Sequence, residues 1–171
     1  MEPEIHIIER YLQEVRHYFT MTNIRLKGGK EIDILAVPPP NGGKLYHIEA
    51  RVAPSFKLKT LDTKTKGGKH PGTRHKRGLD YFYDEKFNHP IVVESIQSIF
   101  GTRRYRRVLV VWGVGGPRVW QKAKRLSIDI WLMPRLIEEL TNTIKGKGYR
   151  DDVLRTLELS KLASAQGYTE G

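Results

Sequence analysis

The sequence predicts an α/β fold, a single mixed β-sheet with helices on both faces. Three observations carry that expectation. Val108-Leu109-Val110-Val111-Trp112-Gly113-Val114 is a continuous apolar run, as expected of a strand buried on both faces. Two apolar-rich segments flank Pro38-Pro39-Pro40-Asn41-Gly42-Gly43, which no strand can continue, so they read as an antiparallel hairpin. Elsewhere apolar residues recur every three or four positions, the period of a helix with one buried stripe.

The elements follow in chain order. Residues 4–19 read as a helix, with Ile5, Ile8, Leu12, Val15 and Phe19 on one stripe. A short strand is expected over 23–27, a turn at Lys27-Gly28-Gly29-Lys30, and strands over 31–37 and 45–52. Residues 53–80 break the pattern: they are polar, basic and rich in glycine, and read as an insertion in one domain spanning 1–171. Pro90 to Phe100 forms a helix that Gly101 stops. After the apolar run, Gly115-Gly116-Pro117 turns the chain into a helix over 117–126, and Ile128 to Leu132 is a short strand. Pro134 opens a helix carrying Leu136, Ile137, Leu140 and Ile144, which Gly146 and Gly148 end; Asp151 or Asp152 caps a last helix with Val153, Leu154, Leu157 and Leu162.

Composition narrows the partners. The net charge is +11 and the pI about 9.9. Such an excess repels itself in a folded chain and points to an anionic partner, nucleic acid first. With no Cys there is no disulfide, thiolate metal site or Cys nucleophile. The acidic start, Met1-Glu2-Pro3-Glu4, lacks a signal-peptide core, and no segment is long enough to span a bilayer; a soluble cytoplasmic protein without a membrane partner is expected.

Hydrolysis of a phosphodiester needs a cation to activate water and neutralise phosphate charge. Mg²⁺ takes oxygen ligands, one or two of them carboxylates. Asp33 lies in the first hairpin strand; Glu49 and Arg51 lie two apart in the second, so they share a face. Pairing around the 38–44 loop brings Asp33 close to Glu49, two carboxylates beside a cation. Glu9, at the edge of the apolar stripe of the first helix, is a further candidate.

Glu9, then Gly28-Gly29-Lys30-Glu31-Ile32-Asp33-Ile34-Leu35-Ala36, then Ile48-Glu49-Ala50-Arg51-Val52, resembles the PD-(D/E)XK superfamily of restriction endonucleases and archaeal Holliday-junction resolvases. The resemblance covers roughly residues 5–52 and implies a restriction-endonuclease-like αβββαβ core. It also implies that Asp33 and Glu49 hold Mg²⁺ (or Mn²⁺), that Glu9 assists, and that Arg51 occupies the lysine position. Two residues depart from the pattern: Ile32 stands for the proline, and Arg51 for the lysine. Arginine steadies a phosphate but does not serve as a general base.

Two basic clusters complete the expectation. Over 51–80 there are nine Lys or Arg against two Asp. Of these, Lys57, Lys59, Lys64, Lys66, Lys69, Arg74, Lys76 and Arg77 read as phosphate-binding. Arg103-Arg104-Tyr105-Arg106-Arg107 is the second cluster, with Tyr105 placed to stack on a base. Nothing reads as base-specific, so backbone or shape recognition of DNA or RNA is expected. His70, His75 and His89 lack the spacing of a zinc site, and the 113–117 turn lacks the lysine of a P-loop. The expected function is a Mg²⁺-dependent endonuclease. The alternative is an inactive relative serving as an RNA-binding component of a ribonucleoprotein such as the ribosome. Homodimerisation stays open.

Overall fold

Alternation of apolar residues along the central strands divides the core between two sides of one sheet. The computed structural model describes residues 2–40, 42–53, 57–59, 63–65, 74–76, 78–144 and 151–165, with side chains from 63–65, 74–76 and 162–165 left aside. The elements are α1 (Pro3–Glu14), β1 (Phe19–Arg25), β2 (Glu31–Val37), β3 (Tyr46–Arg51), β4 (Lys57–Leu58), β5 (Thr63–Thr65), β6 (Arg74–Lys76), α2 (Leu79–Tyr81) continued by a π-helical turn (Phe82–Phe87), α3 (Pro90–Phe100), β7 (Arg106–Val111), β8 (Gly113–Val114), α4 (Pro117–Arg125), β9 (Ile128–Leu132), α5 (Met133–Ile144) and α6 (Asp152–Ala165). A five-stranded sheet runs β1-β2-β3-β7-β9. Its first three strands are antiparallel and its last three parallel, so the sheet is mixed, as expected.

Val108 and Val110 of β7 face one side with Ile34, Ala36 and Ile48, against α1, α5 and Leu154 of α6. Leu109 and Val111 face the other, against Leu79, Phe82, Phe87 and α4. Ile32 and Leu35 pack on Val92 and Ile96 of α3. Each buried aliphatic side chain contributes about 1.5–3 kcal/mol, which explains why β7 is apolar at every position from Val108 to Val111.

Three expectations need correcting. The first helix stops at Glu14, and His17 turns the chain at a φ of 58°. Phe19 therefore opens β1 and is 68% exposed; its place on the apolar stripe was a coincidence of spacing. The first strand spans Phe19–Arg25 rather than 23–27. The central strand starts at Arg106 and ends at Val111, while Gly113 and Val114 pair separately with Lys57 and Leu58. Residues 66–73, 77 and 145–150, with Lys66, Lys69, His70, Arg77, Gly146 and Gly148, lie outside the described residues. Among the described residues, no helix is long and apolar enough to cross a membrane.

Asp151 does cap α6, accepting from the Val153 and Leu154 N–H groups at 3.1 and 3.0 Å. Its other oxygen takes Arg10 at 2.7 Å and His6 at 3.0 Å, tying α6 to α1. Asp151→Ala is expected to lower stability by about 1–2 kcal/mol in urea unfolding, and Asp151→Asn by less, because it retains a capping oxygen. Equal losses would show that the Arg10 and His6 contacts, not the cap, carry the effect.

Candidate active site

The β2–β3 ladder pairs Ala36 with Tyr46, Leu35 with His47 and Ile34 with Ile48, and ends there. At the next position the backbone bonds give way to side chains. The Ala50 N–H donates to Asp33 Oδ2 at 2.8 Å, and the Asp33 N–H donates to Glu49 Oε1 at 3.4 Å. On the other side of β2, the pairing with β1 passes from Thr22–Ile34 to Ile24–Ile32 and skips Asn23, whose φ is 52°. Asp33 thus sits where β2 separates from both neighbours. A cleft of about 580 Å³ opens onto it, lined also by Glu2, Pro3, Ile5, Asn23, Arg25 and Glu31.

Glu49 is deeper, its side chain only 1% exposed. The fully buried His47 lies two residues back on the same face, its Nε2 3.0 Å from Glu49 Oε1, and its ring packs edge-on to Phe87 at 4.9 Å. The cation at the acids is Lys86, from the π-helical turn. Its Nζ lies 2.6 Å from Glu49 Oε2 and 3.7 Å from Asp33 Oδ1, and it donates to the Glu31 carbonyl at 3.2 Å. The contact with Glu49 is a close ion pair.

These neighbours set the charges. Burial, then the Glu49 carboxylate, push the Asp33 carboxyl from 3.8 up to about 7, against the pull of Lys86 and the Ala50 N–H. Burial pulls the Lys86 ammonium down, but Glu49 and Asp33 outweigh it and hold it above its ordinary value. Lys86 is therefore a cation at neutral pH, while Asp33 sits near the middle of its titration. Two acids crowded on one cation form a site that a second cation relieves. Asp33 and Glu49 offer only oxygen donors, the set that Mg²⁺ or Mn²⁺ takes. Among the described residues, no three acidic or histidine side chains gather closely enough to hold a metal ion.

The other sequence-expected residues are distributed as follows. Arg51 ends β3 and is exposed. Glu9 does not join the acids: its Oε1 accepts from Thr20 Oγ1 at 3.2 Å, and its Oε2 lies 3.7 Å from His6. Thr20 pairs with Ala36, three residues along β2 from Asp33. The acid that α1 brings to the cleft is Glu2, just before its first turn. Lys57 and Lys59 are exposed beyond the end of β3 that carries Glu49. Lys64, Arg74 and Lys76 belong to the β5–β6 hairpin.

Arg103 to Arg107 sit at the start of β7, level with Tyr46, so they flank the opposite end of the strands from Glu49. Arg103 and Arg104 are exposed. Arg106 pairs with Asp129 at 3.1 Å, and Arg107 lies over the Tyr83 ring at 5.9 Å. Tyr105 is half-buried and packs against Phe100 and His47, each ring 6.2 Å away. His89 immediately precedes α3 and His75 lies in β6, far apart in the element order.

Lys86 and His47 were missed from sequence. Leu79, Phe82 and Phe87 are buried at spacings of three and five. The five-residue step is the signature of the π-turn, where the Asn88 N–H donates to the Tyr83 carbonyl, and it breaks the period that marks a helix. His47 was legible by strand alternation alone, two residues before Glu49.

No protein-family model matches the chain, and no curated protein matches it. Among solved structures it is similar to one titled "Crystal Structure of Protein of Unknown Function AF1548", with 16% identity and a TM-score of 0.55 over 91% of this chain and 78% of that one. That likeness concerns the fold: the mixed α/β architecture is shared with a solved protein.

Proposed function

We propose that this chain is a nucleic-acid-binding protein of the PD-(D/E)XK type, a cytoplasmic Mg²⁺-dependent (or Mn²⁺-dependent) endonuclease hydrolysing phosphodiester bonds in DNA or structured nucleic acid. The observation that carries the reading is the meeting of Asp33, Glu49 and Lys86 where β2 and β3 part. Asp33 and Glu49 are the residues that would hold the metal, which when bound supplies Lewis acidity and a water of lowered pKa. Glu49 is held in place by His47 and Lys86, and Asp33 by the Ala50 N–H. Lys86, charged at neutral pH, donates to a phosphate oxygen or to the attacking water and takes no proton itself. Lys57, Lys59 and Arg51 steady the phosphates flanking the cut.

Incubation with panels of DNA and RNA substrates in Mg²⁺ or Mn²⁺ tests the reading. Cleavage is expected that disappears in chelator and in Asp33→Ala. Cleavage indifferent to both would exclude it.

One observation favours a second reading. Lys86 already neutralises the acidic pair without a metal. A relative that has ceased to turn over, and binds RNA within a ribonucleoprotein, would look the same. It predicts binding that weakens steeply with salt but ignores Mg²⁺ and Asp33→Ala.

A further inference from the structure

The far edge of the sheet carries a second cleft, of about 370 Å³, beside β9. Its lining is aromatic, aliphatic and charged, with two arginines against one acid, Glu139, whose Oε2 accepts from the Tyr11 hydroxyl at 2.9 Å. Trp131 of β9 meets Tyr46 of β3 edge-on at 5.4 Å between ring centroids, and Tyr11 of α1 packs on Trp131 at 6.1 Å. Trp120 of α4 closes the other side and is 44% exposed. Arg16 and Arg135 add two guanidinium groups. A tryptophan left this open forgoes much of the stabilisation its ring would gain by burial, so a partner that covers it gains correspondingly.

We propose that this cleft is a stacking subsite for one unpaired nucleotide, its base on Trp120 and its phosphate on Arg16 and Arg135. The volume falls within the range of small-ligand sites. Flat aromatic faces beside guanidinium groups suit a planar ring carrying negative charge. The subsite lies away from Asp33 and Glu49. Tyr46 belongs to the core facing α1 and α5, whereas Glu49 lies an odd number of residues along β3 and faces Lys86. The nucleotide held here is therefore not the one at Asp33 but a single-stranded neighbour passing the β9 edge.

The inference rests on the nucleic-acid reading, and one titration separates their failures. Three probes are titrated while tryptophan fluorescence and affinity are followed: a short oligothymidylate, an abasic oligomer of equal length and charge, and a duplex. Two of the protein's three tryptophans line the cleft. Oligothymidylate should quench them and the abasic oligomer should not. Trp120→Ala should weaken oligothymidylate binding on the order of tenfold, while duplex binding is unchanged. Arg135→Gln should weaken both single-stranded probes. Duplex binding accompanied by equal affinity for oligothymidylate and the abasic oligomer, or by oligothymidylate affinity unchanged in Trp120→Ala, overturns the subsite alone. Failure of all three probes to bind overturns it together with the nucleic-acid reading.

Discussion

Asp33→Asn is expected to stabilise the protein in chelator and, on the proposed nuclease reading, to abolish cleavage. The aspartate carboxyl is raised from 3.8 to about 7 in the fold, first by burial and next by Glu49. A raised acid favours the protonated form, so the folded state is relatively most stable below the unfolded value and loses stability as pH rises through about 7. Asparagine mimics the protonated acid and keeps an oxygen for the Ala50 N–H. The advantage of Asp33→Asn should be near zero below about pH 4, climb between about pH 4 and about pH 7, then level off. Its ceiling is about 4 kcal/mol. Urea unfolding of both proteins across that range, in chelator, measures it. A pH-independent difference would show that Asp33 ionises as freely in the fold as in the unfolded chain. In Mg²⁺ the same substitution should cost roughly a thousandfold or more in cleavage rate, since a site with two protein ligands loses the charge of one.

Lys86→Ala is expected to damage stability and turnover together. Glu49 is left almost wholly buried with its ammonium gone. Stranding a buried charge in this way typically costs about 3–5 kcal/mol. Cleavage should fall by about a hundredfold or more, because a donor aimed at developing phosphate charge has been removed. Adding Glu49→Gln to Lys86→Ala tests the stability effect: stability should largely return, since Glu49 no longer carries a buried charge. Arg51→Ala should cost less stability than Lys86→Ala, because Arg51 is exposed at the end of β3 and its removal strands no fully buried charge. If Arg51→Ala instead matches Lys86→Ala in cleavage with stability intact, the cation that matters lies on β3.

Much of this was legible in the residues. The sheet showed because burial dictates side-chain type from Val108 to Val111 of β7, and alternation along β3 placed Glu49 and Arg51 on one face before any coordinates. The pairing of Asp33 with Glu49 followed from the hairpin loop. Glu9 misled because a helical wheel gives direction but not depth along the axis: it lies too far along α1, and Glu2 is the acid that reaches the cleft. Phe19 misled because the stripe of α1 continues in phase past the helix end, into a strand. Lys86 was hidden because it comes from a segment distant in sequence, on a turn of irregular period. No local pattern tells which lysine of so basic a chain will fold back onto two acids.

That Lys86 comes from beyond the basic insertion has a consequence for biosynthesis. Both acids are complete once the first third of the chain has emerged, but the ammonium that balances them arrives only after the 79–87 segment docks on the sheet. Until then Asp33 and Glu49 repel each other without relief, and β2 and β3 carry an uncompensated charge where they diverge. Competence at this centre is thus a property of the finished molecule. A truncated or half-made chain that has formed its hairpin still lacks the group that completes it.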